Sequence, residues 1–301
     1  MLWRVRTTLP DRPGALAVLA ARCGEAGVNI LGLQIFPGIE EVTDELILRT
    51  PEQWTTAEVG ALLDSAGGRA VVALPCTESA LTDQPARYVQ AARALLARPT
   101  AFPEILADLF DAEPDPVNGT GHDTLEVTLR DVTMQVHRAA PFTPTERARG
   151  EALAAVVDVV LSRAPSQGTG SVTTTVAASG RGEVEHLVGV DSVRALIGGE
   201  VVGTASVGAV IGRDLDGGEV RDVDLSVETG WQRQGIGSGL LLAAARLAQS
   251  KGAAEVRLVT WAGNPAVLPM TLGAGLRARI RMSGDELVVR LPVSDLRPLR
   301  S

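Results

Sequence analysis

Three glycines fall within five positions in the stretch WQRQGIGSGLL, residues 231–241. The alternating run VRDVDLSVE precedes it. A helical pattern follows, with Ile236, Leu240, Ala244 and Leu247 on one stripe. Strand, bare turn and helix in that order constrain the fold tightly. The first amides of the helix have no partner within it and face outward at the positive end of its dipole. Glycines allow a phosphate to come close to those amides. The spacing excludes two familiar phosphate loops: no Gly-Lys-Ser/Thr follows, and the pattern is G-x-G-x-G with no acidic residue closing the next strand about 20 residues on. A purely structural turn is the plainer alternative.

The strand before the turn offers chemistry of its own. Asp222, Asp224 and Ser226 alternate with Val223, Leu225 and Val227, so the two carboxylates share one face. A carboxylate on such a face can take a proton from an attacking nucleophile, directly or through water. The alternative is that both simply face solvent or pair with arginines.

The pattern Gln232-Arg233-Gln234-Gly235-Ile236-Gly237, or Q-x-x-G-x-G, resembles the acetyl-coenzyme A pyrophosphate loop of the GNAT acetyltransferase superfamily. The surroundings agree over roughly residues 123–293: a strand before the loop, a helix after it, the strand EVRLVTW, then Asn264 leading to Gly275-Leu276. The resemblance implies a mixed α/β domain that uses acetyl-CoA as cosubstrate. It implies that Gln232, Arg233, Gln234, Gly235, Ile236, Gly237, Ser238 and Gly239 hold the pyrophosphate. Leu225 and Val227 would serve the pantetheine arm, and Asn264 would be a further cofactor residue. Asp222 falls where protein-lysine acetyltransferases of this superfamily carry a glutamate, so Asp222 or Asp224 is the expected catalytic base. Many small-molecule members have a tyrosine seven residues after the asparagine. Thr271 stands there instead, and Tyr88 is the only tyrosine, which tilts the resemblance toward a protein acceptor. The thiolate then leaves as such, or takes its proton from water or Thr271.

The first 76 residues read βαββαβ, a ferredoxin-like order. TTAEVGALLDSAGG, for example, opens on a threonine cap and closes on two glycines. Asp11-Arg12-Pro13-Gly14-Ala15-Leu16 at the first strand-to-helix turn, with Asn29-Ile30 opening the second strand, resemble an ACT domain. That implies an amino-acid effector. Helix amides at Gly14 to Leu16 suit its carboxylate, and Asp11 or Asn29 suits its ammonium. ACT domains commonly pair edge to edge, which implies a homodimer or a higher oligomer.

The 301 residues suggest two domains. The expected division is an ACT domain at 1–76, a helical connector and linker at 77–122 and a GNAT domain at 123–301, with EPDPVNGTGHD as the linker and SQGTGSVTTTVAASGRGE as a polar loop. The net charge of −8 argues against nucleic acid as a partner. No apolar run reaches membrane-spanning length, and the charged N-terminus is not that of a signal peptide. Cys23 and Cys76 read as thiols of a reduced cytoplasm, and His122, His137 and His186 have no metal-ligand spacing. The two halves together resemble an actinobacterial-type fusion of an ACT sensor to a GNAT lysine acetyltransferase, members of which modify acyl-CoA synthetases. Two other readings stay open: acetylation of a small amine or amino acid under feedback control, and a non-catalytic sensor of acetyl-CoA and amino acids.

Overall fold

The computed structural model describes residues 1–37, 41–113, 123–163, 183–214 and 216–296. The expected linker at 113–123 and the expected polar loop at 166–183 lie almost wholly outside these residues. The chain divides into two compact units. The first is residues 1–90, 120–123 and 138–148, and the second is 91–119, 124–137 and 149–301.

The chain begins β1 (Leu2–Pro10), α1 (Ala15–Glu25), β2 (Asn29–Phe36), β3 (Glu41–Arg49), α2 (Thr56–Ser65) and β4 (Arg69–Pro75). This is the βαββαβ order expected from sequence, and the sheet runs β2-β3-β1-β4. One core joins sheet and helices: Trp3, Val5 and Leu9 from β1, Leu46 and Leu48 from β3, Leu19 and Cys23 from α1, Val59 and Leu63 from α2. Burying side chains of that size contributes about 1.5–3 kcal/mol each. Thr55 caps α2: its hydroxyl accepts from the Glu58 amide (3.3 Å) while the Glu58 carboxylate accepts from the Thr55 amide (2.7 Å).

The first unit also contains a buried ionic cluster. Arg6 donates to Glu45 (2.6 Å) and to Glu146 (2.7 Å), and Arg138 donates to Glu146 (2.9 Å). Burial alone would push the Glu146 carboxyl up, but hydrogen bonds from Arg6 and Arg138 outweigh it and hold it at about 2. Burial and the neighbouring Arg6 charge lower the Arg138 guanidinium. Asp44 lies 3% exposed on the helix-facing side of β3, and burial raises its carboxyl to about 6.

The remaining elements are α3 (Gln84–Ala97), α4 (Phe102–Leu109), β5 (Asp123–Leu129), β6 (Val132–Arg138), α5 (Pro144–Arg163), β7 (Val184–Val188), β8 (Ser192–Ile197), β9 (Glu200–Arg213), β10 (Glu219–Val227), α6 (Ile236–Ser250), β11 (Ala253–Trp261), α7 (Val267–Ala274), β12 (Ala278–Ser283) and β13 (Glu286–Pro292). Strands β5 to β13 form one nine-stranded sheet in the order β5-β6-β12-β13-β11-β10-β9-β8-β7. The sequence reading missed β7 and β12. One face of the sheet is apolar, with Val127, Met134, Ile280, Val289, Val256 and Val223 buried, and α6 packs there against β8 to β11. Alternate residues on the other face, such as Thr204, Asp224, Arg279 and Arg290, are exposed. No helix among the described residues is long and apolar enough to cross a membrane.

Candidate functional site: a forked sheet and a glycine turn

Strands β10 and β11 run parallel and pair from Glu219↔Ala253 to Asp222↔Arg257. There the ladder stops, although β10 continues to Val227 and β11 to Trp261. Beyond the fork each strand keeps its other neighbour: Val223 to Val227 pair with β9, and Leu258 to Trp261 with β13. Strands that part this way leave backbone donors and acceptors turned into the gap, where an extended ligand can pair with them.

The glycine turn closes the far end of the fork. Gln232 donates its side-chain amide to the Val227 carbonyl (3.1 Å), tying the turn to the end of β10. Arg233 (φ 61) and Gly235 (φ 83) both take left-handed backbone, which swings the chain into α6. No side chain caps α6, and its first internal bond is from the Gly239 amide to the Gly235 carbonyl (3.1 Å). The amides of Ile236, Gly237 and Ser238 are therefore left to solvent or ligand.

The three glycines have different reasons. Gly235 needs its positive φ. A Cβ at Gly239 would come within 3.1 Å of the His186 ring on β7. A Cβ at Gly237 would meet nothing nearer than the Met270 sulfur at 3.5 Å, an ordinary contact, and its φ is not positive. Neither strain nor crowding demands a glycine at 237. A bare amide at that place leaves room for a ligand such as a pyrophosphate to come close.

The expected site residues fall out as follows. Gln232, Arg233, Gln234 and Gly235 are exposed; Leu225, Val227, Gly237, Ser238 and Gly239 are half-buried. The Ile236 side chain is buried, so only its backbone can serve a ligand. Asn264 is engaged locally: its Oδ1 accepts from the Ala266 amide (3.0 Å) and its Nδ2 donates to Thr260 (2.9 Å), opening the turn into α7. Thr271 is fully buried and donates to the Val267 carbonyl (2.7 Å), so its proton is already committed.

The two aspartates differ sharply. Both oxygens of Asp222 accept hydrogen bonds from Arg257, from Nε at 2.7 Å and Nη2 at 3.0 Å. This bidentate pair sits at the vertex of the fork, and the bond to Asp222 raises the Arg257 guanidinium further. The arginine pairing weighed from the sequence is thus what Asp222 makes. Asp224 lies two residues further along β10, past the last paired residue, and is exposed.

In the first unit the expected effector residues do not form one site within a single chain. The α1 amides begin where β1 ends, near Pro10↔Glu41, whereas Asn29 pairs with Arg49 beside Leu2 at the opposite end of the sheet. Along β1 that separation is roughly 26 Å at about 3.3 Å per residue. Asp11, Gly14, Ala15 and Leu16 therefore share one end, and Asn29 and Ile30 the other. Gly14 opens α1 in left-handed backbone (φ 89) without a side-chain cap. Asp44, opposite Thr7 in the ladder, lies toward this same end. Its sequence signal was a carboxylate in register with apolar Leu46 and Leu48.

A forked parallel pair above an uncapped, glycine-rich helix start defines a site for an extended ligand that carries phosphate. Residues 176–273 match the model described as the Acetyltransferase (GNAT) family, which places a GNAT acetyltransferase domain in that part of the chain. No curated protein matches the chain. Among solved structures it is similar to the GNAT domain of PAT from S. lividans, with 19% identity over 34% of this chain and 59% of that one, at a TM-score of 0.29. It is also similar to yncA from Salmonella typhimurium, solved with its cofactor acetyl-CoA (16% identity, 36% of this chain and 69% of that one, TM-score 0.29). A third is the ribosomal-protein-alanine N-acetyltransferase of Brucella melitensis (18%, 33% and 65%, TM-score 0.27). The chain thus spans little more than half of the PAT domain. The reading of the site rests on the family match and the fork, and none of these three likenesses adds to it.

Proposed function

We propose that the chain is an amino-acid-regulated protein Nε-lysine acetyltransferase. The observation that carries the transferase half is the fork between β10 and β11 opening onto the bare start of α6. The acetyl donor's pyrophosphate rests on the amides of Ile236, Gly237 and Ser238, flanked by Gln232, Arg233 and Gln234. Its pantetheine arm lies in the fork along Leu225 and Val227, which puts the thioester near the vertex.

The acceptor amine must lose a proton to attack. Asp224 is the better base because it is exposed beyond the vertex and no ion pair among the described residues occupies it. Asp222 is held by Arg257 and acts as a fixed negative charge beside it. The amine nitrogen bonds to the thioester carbonyl carbon, the carbon–sulfur bond breaks, the nitrogen's proton passes to Asp224 directly or through water, and the thiolate leaves as such or takes a proton from solvent. Thr271 is not the donor. The lack of a tyrosine at that position and the open face around Asp224 both favour a protein acceptor, such as an acyl-CoA synthetase.

The regulatory half rests on the uncapped start of α1. Because Asn29 lies at the other end of the sheet, a second copy is needed to bring it to the effector's carboxylate site, which makes the functional form a homodimer in a reducing, cytoplasmic setting. The test is release of coenzyme A with a purified acyl-CoA synthetase as acceptor, with and without each amino acid. Turnover that requires the synthetase and shifts with one amino acid supports both halves. Turnover without the synthetase, with an amino acid consumed, points to a small-molecule enzyme. Acetyl-CoA binding with no turnover points to a sensor.

A further inference from the structure

His186 on β7 is a titratable group that the transfer chemistry does not use. The ladder sets Val227 opposite Gly203, Gly203 opposite Ala195, and Ala195 opposite His186. Directly opposed residues point to the same face. A Cβ at Gly203 would meet Leu240 of α6 at 2.9 Å, so this row lies on the face that α6 covers. Its small members, Gly203 and Ala195, let the first turn of α6 settle between the two ends. At one end a Cβ at Gly237 would lie 3.8 Å from Val227 Cγ2. At the other a Cβ at Gly239 would lie 3.1 Å from Cε1 and 3.2 Å from Nε2 of His186. β7 is an edge strand, and His186 is exposed there to solvent or ligand. No hydrogen bond or ion pair holds its ring among the described residues. The elements against it offer no charge: Ala195 faces it from β8, residues 236–245 of α6 are uncharged, and Val184 and Val188 flank it on its own face of β7. Glu228 and Arg233 belong to the turn that follows Val227, at the other end of the row. Burial against its neighbours lowers the imidazole's pKa, and the positive end of α6 disfavours a cation beside it.

We infer that His186 is a cofactor-binding residue: it flanks the bare amides of α6 from the side opposite Val227, and takes up a proton when the acetyl donor's pyrophosphate occupies them. This rests on the proposed transferase reading and adds a residue to that site. At about 4.8 Å per strand the row is roughly 14 Å wide, and the start of α6 lies within it. Gly239 stands only about 4.5 Å along the helix axis from Ile236, at about 1.5 Å per residue, so the imidazole sits beside the turn whose amides are free. An anion there reverses the local field. The imidazolium that the bare helix end disfavours becomes a counter-ion to the phosphate. The sign of the pH effect follows. Because the pKa of His186 is higher in the complex than in the free chain, binding takes up a proton. Affinity then rises as the pH falls from above the higher pKa to below the lower one.

The experiment is a calorimetric titration of the full chain and of His186→Ala between about pH 5.5 and 8.5, in buffers of different ionisation enthalpy so that proton uptake is read directly. Two probes are used: acetyl-CoA, and its 3′-dephospho analogue, whose pyrophosphate stays fully ionised over this range. The natural chain is expected to bind the dephospho analogue about tenfold more tightly at the acid end, the effect of a rise of about one unit in the imidazole's pKa. It should take up a proton as it does so. His186→Ala should bind the analogue as the natural chain does at the alkaline end, which shows that the variant is folded, and should lose both the pH dependence and the proton uptake. A flat profile for the natural chain, a pH effect that survives His186→Ala, or an effect confined to acetyl-CoA, which would assign it to the 3′-phosphate, would overturn the inference. Failure of the transferase reading looks different: neither probe binds the natural chain at any pH, and the inference falls with it.

Discussion

Asp222 and Asp224 sit two residues apart on one face of one strand, and only the register of β10 against β11 tells them apart. Arg257, 35 residues away, claims both oxygens of Asp222 and leaves Asp224 open. Asp224→Asn is expected to lower kcat by about 100-fold, the usual worth of a general base, with the affinity for acetyl-CoA unchanged. Asp222→Asn should instead free Arg257 and raise KM for the acceptor more than it lowers kcat. Steady-state kinetics combined with calorimetric acetyl-CoA titration separates the two; equal behaviour of the variants would reject the assignment. The sequence already showed that the carboxylates share a face, and left pairing with arginines open as the alternative. It could not show which arginine, because a ladder between strands so far apart is set by packing and not by local pattern. Asn264 and Thr271 tell the same story: the motif located them, but the hydrogen bonds that occupy them depend on where α7 and its entering turn lie.

Elements with strong local signals were legible. The Thr55–Glu58 capping box, the glycine-led α6 and the alternation of β10 all carry their own instructions. Strands β7 and β12 do not. VEHLV borders the Gly/Ser/Thr-rich stretch and does not alternate, while ARIRMS alternates Ala278, Ile280 and Met282 with polar residues but is six residues long with Ile280 its one β-branched residue, so each signal is short. The ionic cluster in the first unit was illegible for a different reason: Arg6, Glu45, Arg138 and Glu146 are scattered along the chain. Its effect is predictable now. Because the folded-state pKa of Glu146 lies near 2, below its ordinary 4.5, the cluster stabilises fully above about pH 4.5. It loses on the order of 3 kcal/mol as pH falls toward about 2. Glu146→Gln should cost about 3–5 kcal/mol at neutral pH, since it removes the carboxylate that two buried arginines share and leaves Arg6 with Glu45 alone, and should flatten the acid limb of the unfolding curve. Asp44 has the opposite sign. Its folded pKa of about 6 lies above the ordinary 3.8, so its charge destabilises progressively between about pH 4 and 6. Asp44→Asn should therefore raise the melting temperature at about pH 7 and leave it unchanged near pH 4. Melting curves across that range check both residues.

At the scale of the whole molecule, the proposed regulation requires that ligand at the first unit change acetyl transfer at the second. That coupling is expected to be about 1–3 kcal/mol, read as a change of roughly 5- to 150-fold in acetyl transfer on adding the effector. Asn29→Ala should abolish the response without altering basal turnover, and sedimentation should show the dimer before effector is added. A monomer that still responds would contradict the shared site. The central claim is that the fork and the bare turn hold an acetyl-CoA pyrophosphate, and position 237 tests it most directly. Alanine there fits the space and favours a helix by up to about 1 kcal/mol, so the fold should be no less stable. The measurement is a calorimetric titration of acetyl-CoA into the natural chain and into Gly237→Ala, with melting curves of both. Binding that weakens about tenfold in a variant that melts no lower is the predicted result. No binding by the natural chain, or equal binding by both, would contradict the account.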